Sequence, residues 1–279
     1  MSYLVKSAPR TSSYTRIVAP GTGDLHHLEF GVIELTPGAA EPLATGNREA
    51  VVYLLSGAGM ITVDGRQEPV RIGPRRDVFT DPPSAVYLPP RTSARLVAGQ
   101  AGCFAALVSA PSGSGAPVAV VGPGDVARRN VGASNWARAV YNVIDATRGA
   151  QRLMVGETIN PPGNWSSYPP HKHDVRSASG ELPMEEVYFY LTRPAGGFAL
   201  QMLYTAPGDP HPIDEIYRVE SGDLLLIPRG YHPVVAAAGY DLFYLWAMAG
   251  DESRYGAWSD DPAYAWVRER EREVTPAPR

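Results

Sequence analysis

The chain has 279 residues, 44% hydrophobic and 19% charged, which is globular composition and excludes a disordered chain. A net charge of −4 with scattered basic residues leaves no electrostatic footprint for nucleic acid or an acidic membrane. Cys103 is the only cysteine, so no disulfide closes within the chain, and no run reaches the roughly 18 apolar residues needed to cross a bilayer. These features, and an N-terminus without a long apolar stretch, predict a soluble cytoplasmic protein with no nucleic-acid or membrane partner. Cys103, within Cys103-Phe-Ala-Ala-Leu-Val, is expected to be a small buried hydrophobe.

In chain order, glycine and proline interrupt the sequence at short intervals and leave little room for long helices. Between them lie β-branched and aromatic runs: Ala50-Val-Val-Tyr-Leu-Leu, Gly59-Met-Ile-Thr-Val, Glu186-Val-Tyr-Phe-Tyr-Leu, Phe198-Ala-Leu-Gln-Met-Leu-Tyr and Tyr240-Asp-Leu-Phe-Tyr-Leu-Trp. Short runs of this kind, bounded by turn residues, predict an all-β sandwich or barrel. Ala110-Pro-Ser-Gly-Ser-Gly-Ala-Pro and Val121-Gly-Pro-Gly-Asp break the chain into two halves, 1–120 and 121–279. Glu49 followed by an apolar strand, Gly73-Pro-Arg-Arg-Asp-Val-Phe and Val86-Tyr-Leu-Pro-Pro has a counterpart in Glu185 followed by an apolar strand and Gly222-Asp-Leu-Leu-Leu-Ile-Pro. That shared rhythm predicts a duplicated β-barrel. Two short helices are expected, over 134–140 and 262–272, the second a C-terminal helix lying on the barrel through Tyr264 and Trp266.

The chemistry concentrates in the second half. In Pro169-Pro-His-Lys-His-Asp, strand alternation puts His171 and His173 on one face and Lys172 on the other. Two imidazoles on an inward face are half of a metal site. Glu186 opens the next strand with a hard oxygen donor, and His232 follows the turn Pro228-Arg-Gly-Tyr. His-x-His, a strand-initial Glu and Gly222-x5-Pro228-x-Gly230-x-His232 arrive in the order a cupin barrel requires. The predicted ligands of one divalent metal are His171, His173, Glu186 and His232.

The segments His171-Lys-His-Asp, Glu185-Glu-Val-Tyr-Phe-Tyr, Gly197-Phe-Ala-Leu-Gln, Asp214-Glu, Gly222-Asp-Leu-Leu-Leu-Ile-Pro-Arg-Gly-Tyr-His-Pro and Gly239-Tyr-Asp-Leu-Phe-Tyr-Leu-Trp-Ala-Met-Ala-Gly resemble the 5-deoxy-glucuronate isomerases of myo-inositol catabolism. The 5-keto-4-deoxyuronate isomerases of pectin breakdown are a sister family with the same fold and ligands. Arg129-Asn-Val-Gly and Arg138-Ala-Val extend the likeness to the start of the second barrel, so that it covers nearly the whole chain. The sequence departs from the pattern in a short loop, 175–183, and in Trp246, where a small polar residue is expected. The resemblance implies an all-β bicupin: two cupin-type, jelly-roll-like β-barrels with short helices, a metal-free N-terminal barrel (1–120) and a C-terminal one (121–279) holding the metal. Glu49 agrees by omission, having no His-x-His before it, and Val86-Tyr-Leu-Pro-Pro ends without a histidine. His26 and His27, ahead of the first strands, are expected at the surface.

The implied activity is a metal-dependent aldose–ketose isomerisation of 5-deoxy-D-glucuronate, a small deoxy-uronic acid, to 5-dehydro-2-deoxy-D-gluconate. Removing a proton beside a carbonyl leaves enediolate charge that a Lewis-acidic cation stabilises. A His3Glu donor set suits Zn, Mn, Fe, Co or Ni; Zn2+ is the first choice because the reaction needs no redox change. Tyr188 and Tyr190, which share the Glu186 face, and Gln201 and Glu215 are the candidates for proton transfer and substrate contact. Tyr240 stands with them, and Arg229, Lys172 or Arg176 offers a cation for the substrate carboxylate. The predicted assignment is catalytic for Tyr188, Gln201 and Glu215 and substrate-binding for Arg229, Tyr190 and Tyr240. The alternatives are the pectin-pathway isomerase, a bicupin dioxygenase and a non-catalytic sugar-binding cupin. Exposed aromatics such as Trp258 and Trp266, and barrel edge strands, point to a homo-oligomer.

Overall fold

The computed structural model describes residues 2–274. Strands Tyr14–Val18, Glu29–Leu35, Ser93–Pro111, Arg48–Val63, Ala85–Leu88 and Ala119–Val121 lie side by side in that order. Ala40–Ala44 joins Ser93–Pro111, and Val70–Arg75 joins Arg48–Val63, to complete the first sheet. The second sheet runs Leu4–Val5, Leu224–Ile227, Glu185–Arg193, Asp241–Ala249, Leu153–Asn160, Arg138–Ile144, Arg129–Val131. A four-stranded sheet of Trp165–Ser166, Val234–Ala236, Phe198–Tyr204 and Asp214–Glu220 belongs to the same half. The protein is an all-β bicupin. The first half lends the second an element, because Leu4–Val5 pairs antiparallel with Leu225 and Leu224 of the second half.

Register makes the duplication explicit. Ala50 pairs with Leu88 and Ser109, and Glu186 pairs with Ile227 and Met248, so Ala50 occupies in the first half the place Glu186 occupies in the second. Val52 and Leu54, which share the Ala50 face, pack with Ile33, Ile61, Val86, Leu88 and Cys103 into a wholly apolar interior. Burial pushes the Cys103 thiol up to about 11. On the other face of Glu185–Arg193, Phe189 stacks on Phe30 of the first half with ring centroids 5.5 Å apart. The two sheets are therefore packed back to back, and Glu186, Tyr188 and Tyr190 face into the second barrel.

The helices differ from the sequence expectation. Residues 134–140 form only a single 3-10 turn, Ser134–Trp136, and Arg138–Ile144 is a strand paired with both neighbours. Its pattern is that of a strand buried beside a turn, and the polar Ser-Asn opening imitated a helix start. At the C-terminus, Pro262–Tyr264 is a 3-10 turn and Val267–Val274 an α-helix. The helix docks through Val267, 2% exposed, whereas Trp266 is 60% exposed. Tyr264 reaches Tyr168 at 6.2 Å.

Candidate metal centre

His171 opens the two-residue strand His171–Lys172, held against Ser259–Asp260. His173 follows it, and Glu186 is the second residue of Glu185–Arg193. His232 comes after a turn that only glycine fits: Gly230 has φ +91°, and a Cβ there would lie 2.6 Å from the Tyr204 carbonyl oxygen. All four residues are buried. Each imidazole has its Nδ1 near a backbone carbonyl: His173 to Met184 at 2.6 Å, His232 to Gly230 at 2.9 Å and His171 to Pro169 at 3.4 Å. A carbonyl only accepts, so these contacts assign a proton to Nδ1 of each ring; Nε2 of His173 is hydrogen-bonded to Glu186, and Nε2 of His232 has no partner.

The potential ligand atoms converge. The Nε2 atoms of His173 and His232 lie 3.1 and 3.3 Å from Glu186 Oε2, and ligand atoms of the three residues all fall within 4.8 Å of one another. Glu186 Oε1 and His232 Nε2 are buried without any hydrogen-bond partner. Buried acceptors facing one another are costly unless a cation sits among them. The donor set and these orphaned atoms fit a divalent metal. Burial holds His232 at about 3 and His171 well below the usual imidazole range, so both rings are neutral, the form that ligates. His171 is outside the 4.8 Å group. Its ring meets that of His232 edge-on at 5.0 Å and stacks on Trp258 at 5.0 Å.

Above these residues lies a cavity of about 230 Å3. His171, Glu186 and Tyr188 contribute to its lining, Tyr244, Trp246, Tyr255 and Trp258 wall it, and Arg138 and Arg268 bring it positive charge. Trp246 lies close over Gly156, where a Cβ would come within 2.2 Å of the indole, and so helps wall the cavity. A larger cavity, about 770 Å3, is lined by His26, His27, Glu185 and Arg229 and contains none of His171, His173, Glu186 or His232.

The other sequence candidates are dispersed. Tyr188 lines the metal-side cavity, with its ring 5.8 Å from that of His232 and its hydroxyl 2.9 Å from Ser167 Oγ. Burial raises this phenol well above its ordinary pKa. Tyr190 lies deeper and donates to Gln201 Oε1 at 2.9 Å. Gln201 is buried but turned from the cavity, donating Nε2 to the carbonyls of His232 at 2.7 Å, Pro233 at 3.1 Å and Met202 at 2.8 Å. The structure corrects the reading of Glu215, which is exposed on Asp214–Glu220 because that strand is the outer edge of its sheet. Tyr240 precedes Asp241, seven residues or about 23 Å along the strand from the Met248 that faces Glu186. Arg229 is bound to Asp209 at 2.7 Å in the larger cavity. Lys172 pairs with Asp174 and Glu181, and Arg176 with Glu252. Sequence reasoning passed over Arg138, because it lay in a segment read as helix and the strand's inward face was thereby lost, and over Arg268, because nothing local shows which face of the C-terminal helix meets the barrel.

The KduI/IolB family matches residues 3–267. The chain belongs to that family. Among its relatives, the 5-deoxy-glucuronate isomerase of Geobacillus thermodenitrificans is 37% identical over 90% of both chains, and that of Bacillus subtilis strain 168 is 32% identical over 97% of this chain and 100% of the other. An IolB-like protein from Salmonella typhimurium LT2 superposes with a TM-score of 0.88 at 30% identity, over 95% of this chain and 98% of that one. Oxalate decarboxylase OxdC of Bacillus subtilis, at 14% identity and a TM-score of 0.61 over 91% and 77%, shares the fold. Within this KduI/IolB chain, strands Glu185–Arg193 and Asp241–Ala249 contribute Glu186, Tyr188, Tyr244, Trp246 and Met248 to the cavity wall.

Proposed function

We propose that this chain is a 5-deoxy-glucuronate isomerase that uses one divalent metal, Zn2+ first among Mn, Fe, Co and Ni, held by His171, His173, Glu186 and His232. The names of relatives matched over nine-tenths or more of the chain support the reaction. The observation that carries the metal is the pair of buried, unpartnered acceptors, Glu186 Oε1 and His232 Nε2, beside the His173 ring. In the same reading, residues 1–120 form a metal-free supporting barrel with Ala50 in place of Glu186, and 121–279 form the working one. A cytoplasmic location and a homo-oligomeric assembly complete the proposal. Among the described residues no helix is long and apolar enough to cross a membrane.

In the isomerisation, a hydrogen leaves the carbon beside the aldehyde and one is delivered to the aldehyde carbon, while the neighbouring hydroxyl becomes the ketone, so nothing is gained or lost overall. Held by His171, His173, Glu186 and His232, a divalent cation would supply Lewis acidity to the substrate's carbonyl end. Tyr188, kept protonated by burial and hydrogen-bonded to Ser167, is placed to donate a hydrogen bond to a substrate oxygen. Tyr244, Trp246 and Trp258 narrow the cavity and exclude water that would protonate the intermediate out of turn. At about 230 Å3 the space is below the roughly 300–1,000 Å3 of drug-sized pockets, which suits a six-carbon acid.

The test is NMR of 5-deoxy-glucuronate with the protein in D2O, with and without chelator. Chelator-sensitive ketose formation is expected. Conversion of 5-keto-4-deoxyuronate instead would move the chain to the sister reaction, and turnover unaffected by rigorous metal removal would overturn the metal.

A further inference from the structure

Two arginines line the metal-side cavity, and they are not equivalent. Arg268 spends its Nε and Nη2 on Asp260, at 2.8 and 3.0 Å, and its Nη1 is 3.9 Å from Glu271. Among the described residues Arg138 makes hydrogen bonds only through Nη1, to the carbonyls of Trp136 at 3.0 Å and Tyr168 at 3.2 Å. Among the described residues no carboxylate lies within ion-pair distance of it, and Glu271 beside it is taken up by the Gly132 amide and by Arg268. Among the described residues the Nε and Nη2 edge of Arg138, the pair of parallel donors that fits a carboxylate, has no hydrogen-bond partner, and the side chain lines the cavity.

Its position relative to the metal candidates is fixed by the backbone. Arg138 and His171 hold consecutive carbonyls, those of Tyr168 and Pro169. Alternation puts Arg138 on the face of Val140, whose cross-strand partner Thr158 also lines the cavity. Arg138, His171 and Glu186 thus line one cavity, where a single small molecule can reach both the guanidinium and the metal candidates. The carboxyl carbon of a 5-deoxy-glucuronate is five bonds, about 6 Å when extended, from its aldehyde carbon.

We propose that Arg138 is the anchor for the substrate's carboxylate, gripping it through Nε and Nη2 and so directing the aldehyde end toward His171, His173, Glu186 and His232. This rests on the isomerase reading above. Burial already depresses the basicity of this guanidinium, and Arg268 repels it, so a bound anion relieves both. The same anchor accounts for selection of an acid over a neutral sugar of equal length, which would leave the donors unpaired.

The experiment compares wild type, Arg138→Met and Arg138→Lys, each zinc-loaded, on 5-deoxy-glucuronate and on 5-deoxy-glucose, which has a hydroxymethyl group in place of the carboxylate. For Arg138→Met, kcat/KM on the acid is expected to fall on the order of a hundredfold. The poor activity on 5-deoxy-glucose, the zinc content and the circular dichroism should hold. Arg138→Lys retains charge but not the paired donors, and is expected to raise KM for the acid about tenfold. It decides the matter if the methionine variant does not fold. Equal losses on both substrates, or an unchanged KM for the acid, would overturn the anchor. Should wild type not convert 5-deoxy-glucuronate, the isomerase reading fails on its own. The anchor is then judged by calorimetry with D-gluconate: binding lost in Arg138→Met sustains it, and equal binding, or none to wild type, removes it.

Discussion

Glu49 and Glu185 clamp each other's barrels. Glu49, in the first half, accepts backbone N–H bonds from Gln151, Arg152 and Leu153 of the second at 2.7–2.8 Å. Glu185, in the second, accepts them from His26, His27 and Leu28 of the first at 2.6–2.7 Å. The register is matched too: Glu49 pairs with Ala110, and Glu185 and Leu153 both pair with Ala249. A pseudo-twofold relation between the duplicated halves thus puts a buried carboxylate on each side of the junction.

Hydrogen bonds to a charged acceptor are each worth about 1.5–3 kcal/mol net, and a carboxylate holding three amides is hard to replace. Glu49→Gln and Glu185→Gln are each expected to destabilise the protein by at least about 1.5 kcal/mol. The sites are separated by two strand spacings, roughly 10 Å, so the losses should add to within about 0.5 kcal/mol in the double variant. Urea denaturation measures this. Single variants with unchanged midpoints would show that the clamps contribute no stability.

How far the sequence alone disclosed this molecule depended on periodicity. The β class, the duplication and the clustering of chemistry near His171-Lys-His and Glu186 followed from alternation and from turns at Gly222 and Gly230, because strands express their two faces in consecutive residues. Glu49 was visible as a repeat position, but its amide partners at 151–153 are a hundred residues away, and nothing local marks them. Arg138 was hidden by a wrong local reading. Once 134–140 is taken for a helix, alternation no longer says which way the side chain points. Gln201 was recognised as a polar residue in an apolar run, yet only the folded chain reveals that its partner is the His232 backbone.

That contact leads to a prediction about the metal. Gln201 Nε2 holds the His232 carbonyl while the His232 ring is oriented by Gly230, so Gln201 positions a proposed ligand without touching the cavity. Gln201→Leu is expected to weaken metal affinity about 10–100-fold, as loss of supporting hydrogen bonds does elsewhere, with kcat recovering at saturating metal. His173→Ala should lose the metal outright while the barrel stays folded. Chelator competition with a zinc indicator distinguishes the two. Gln201→Leu with wild-type zinc affinity would show that the His232 loop is held by other contacts.

The back-to-back packing of the barrels carries one buried ion pair, and it makes the last prediction. Glu157, on Leu153–Asn160 of the second half, accepts from Arg75 at 2.7 and 2.8 Å and from the Tyr53 hydroxyl at 2.6 Å, both of the first half. Both charged side chains are fully buried. Arg75 also donates to the Leu54 carbonyl at 2.8 Å, so its other donors are in use. Removing one partner strands the other charge in an apolar interface at a cost of about 3–5 kcal/mol, whereas replacing both with apolar groups of like volume is often close to neutral. Arg75→Met and Glu157→Leu should each be strongly destabilising, and Glu157→Leu in an Arg75→Met background should restore much of the loss. The coupling is read from a double-mutant cycle in denaturant. Single losses that simply add would mean that Arg75 and Glu157 are stabilised by their backbone and tyrosine partners rather than by each other.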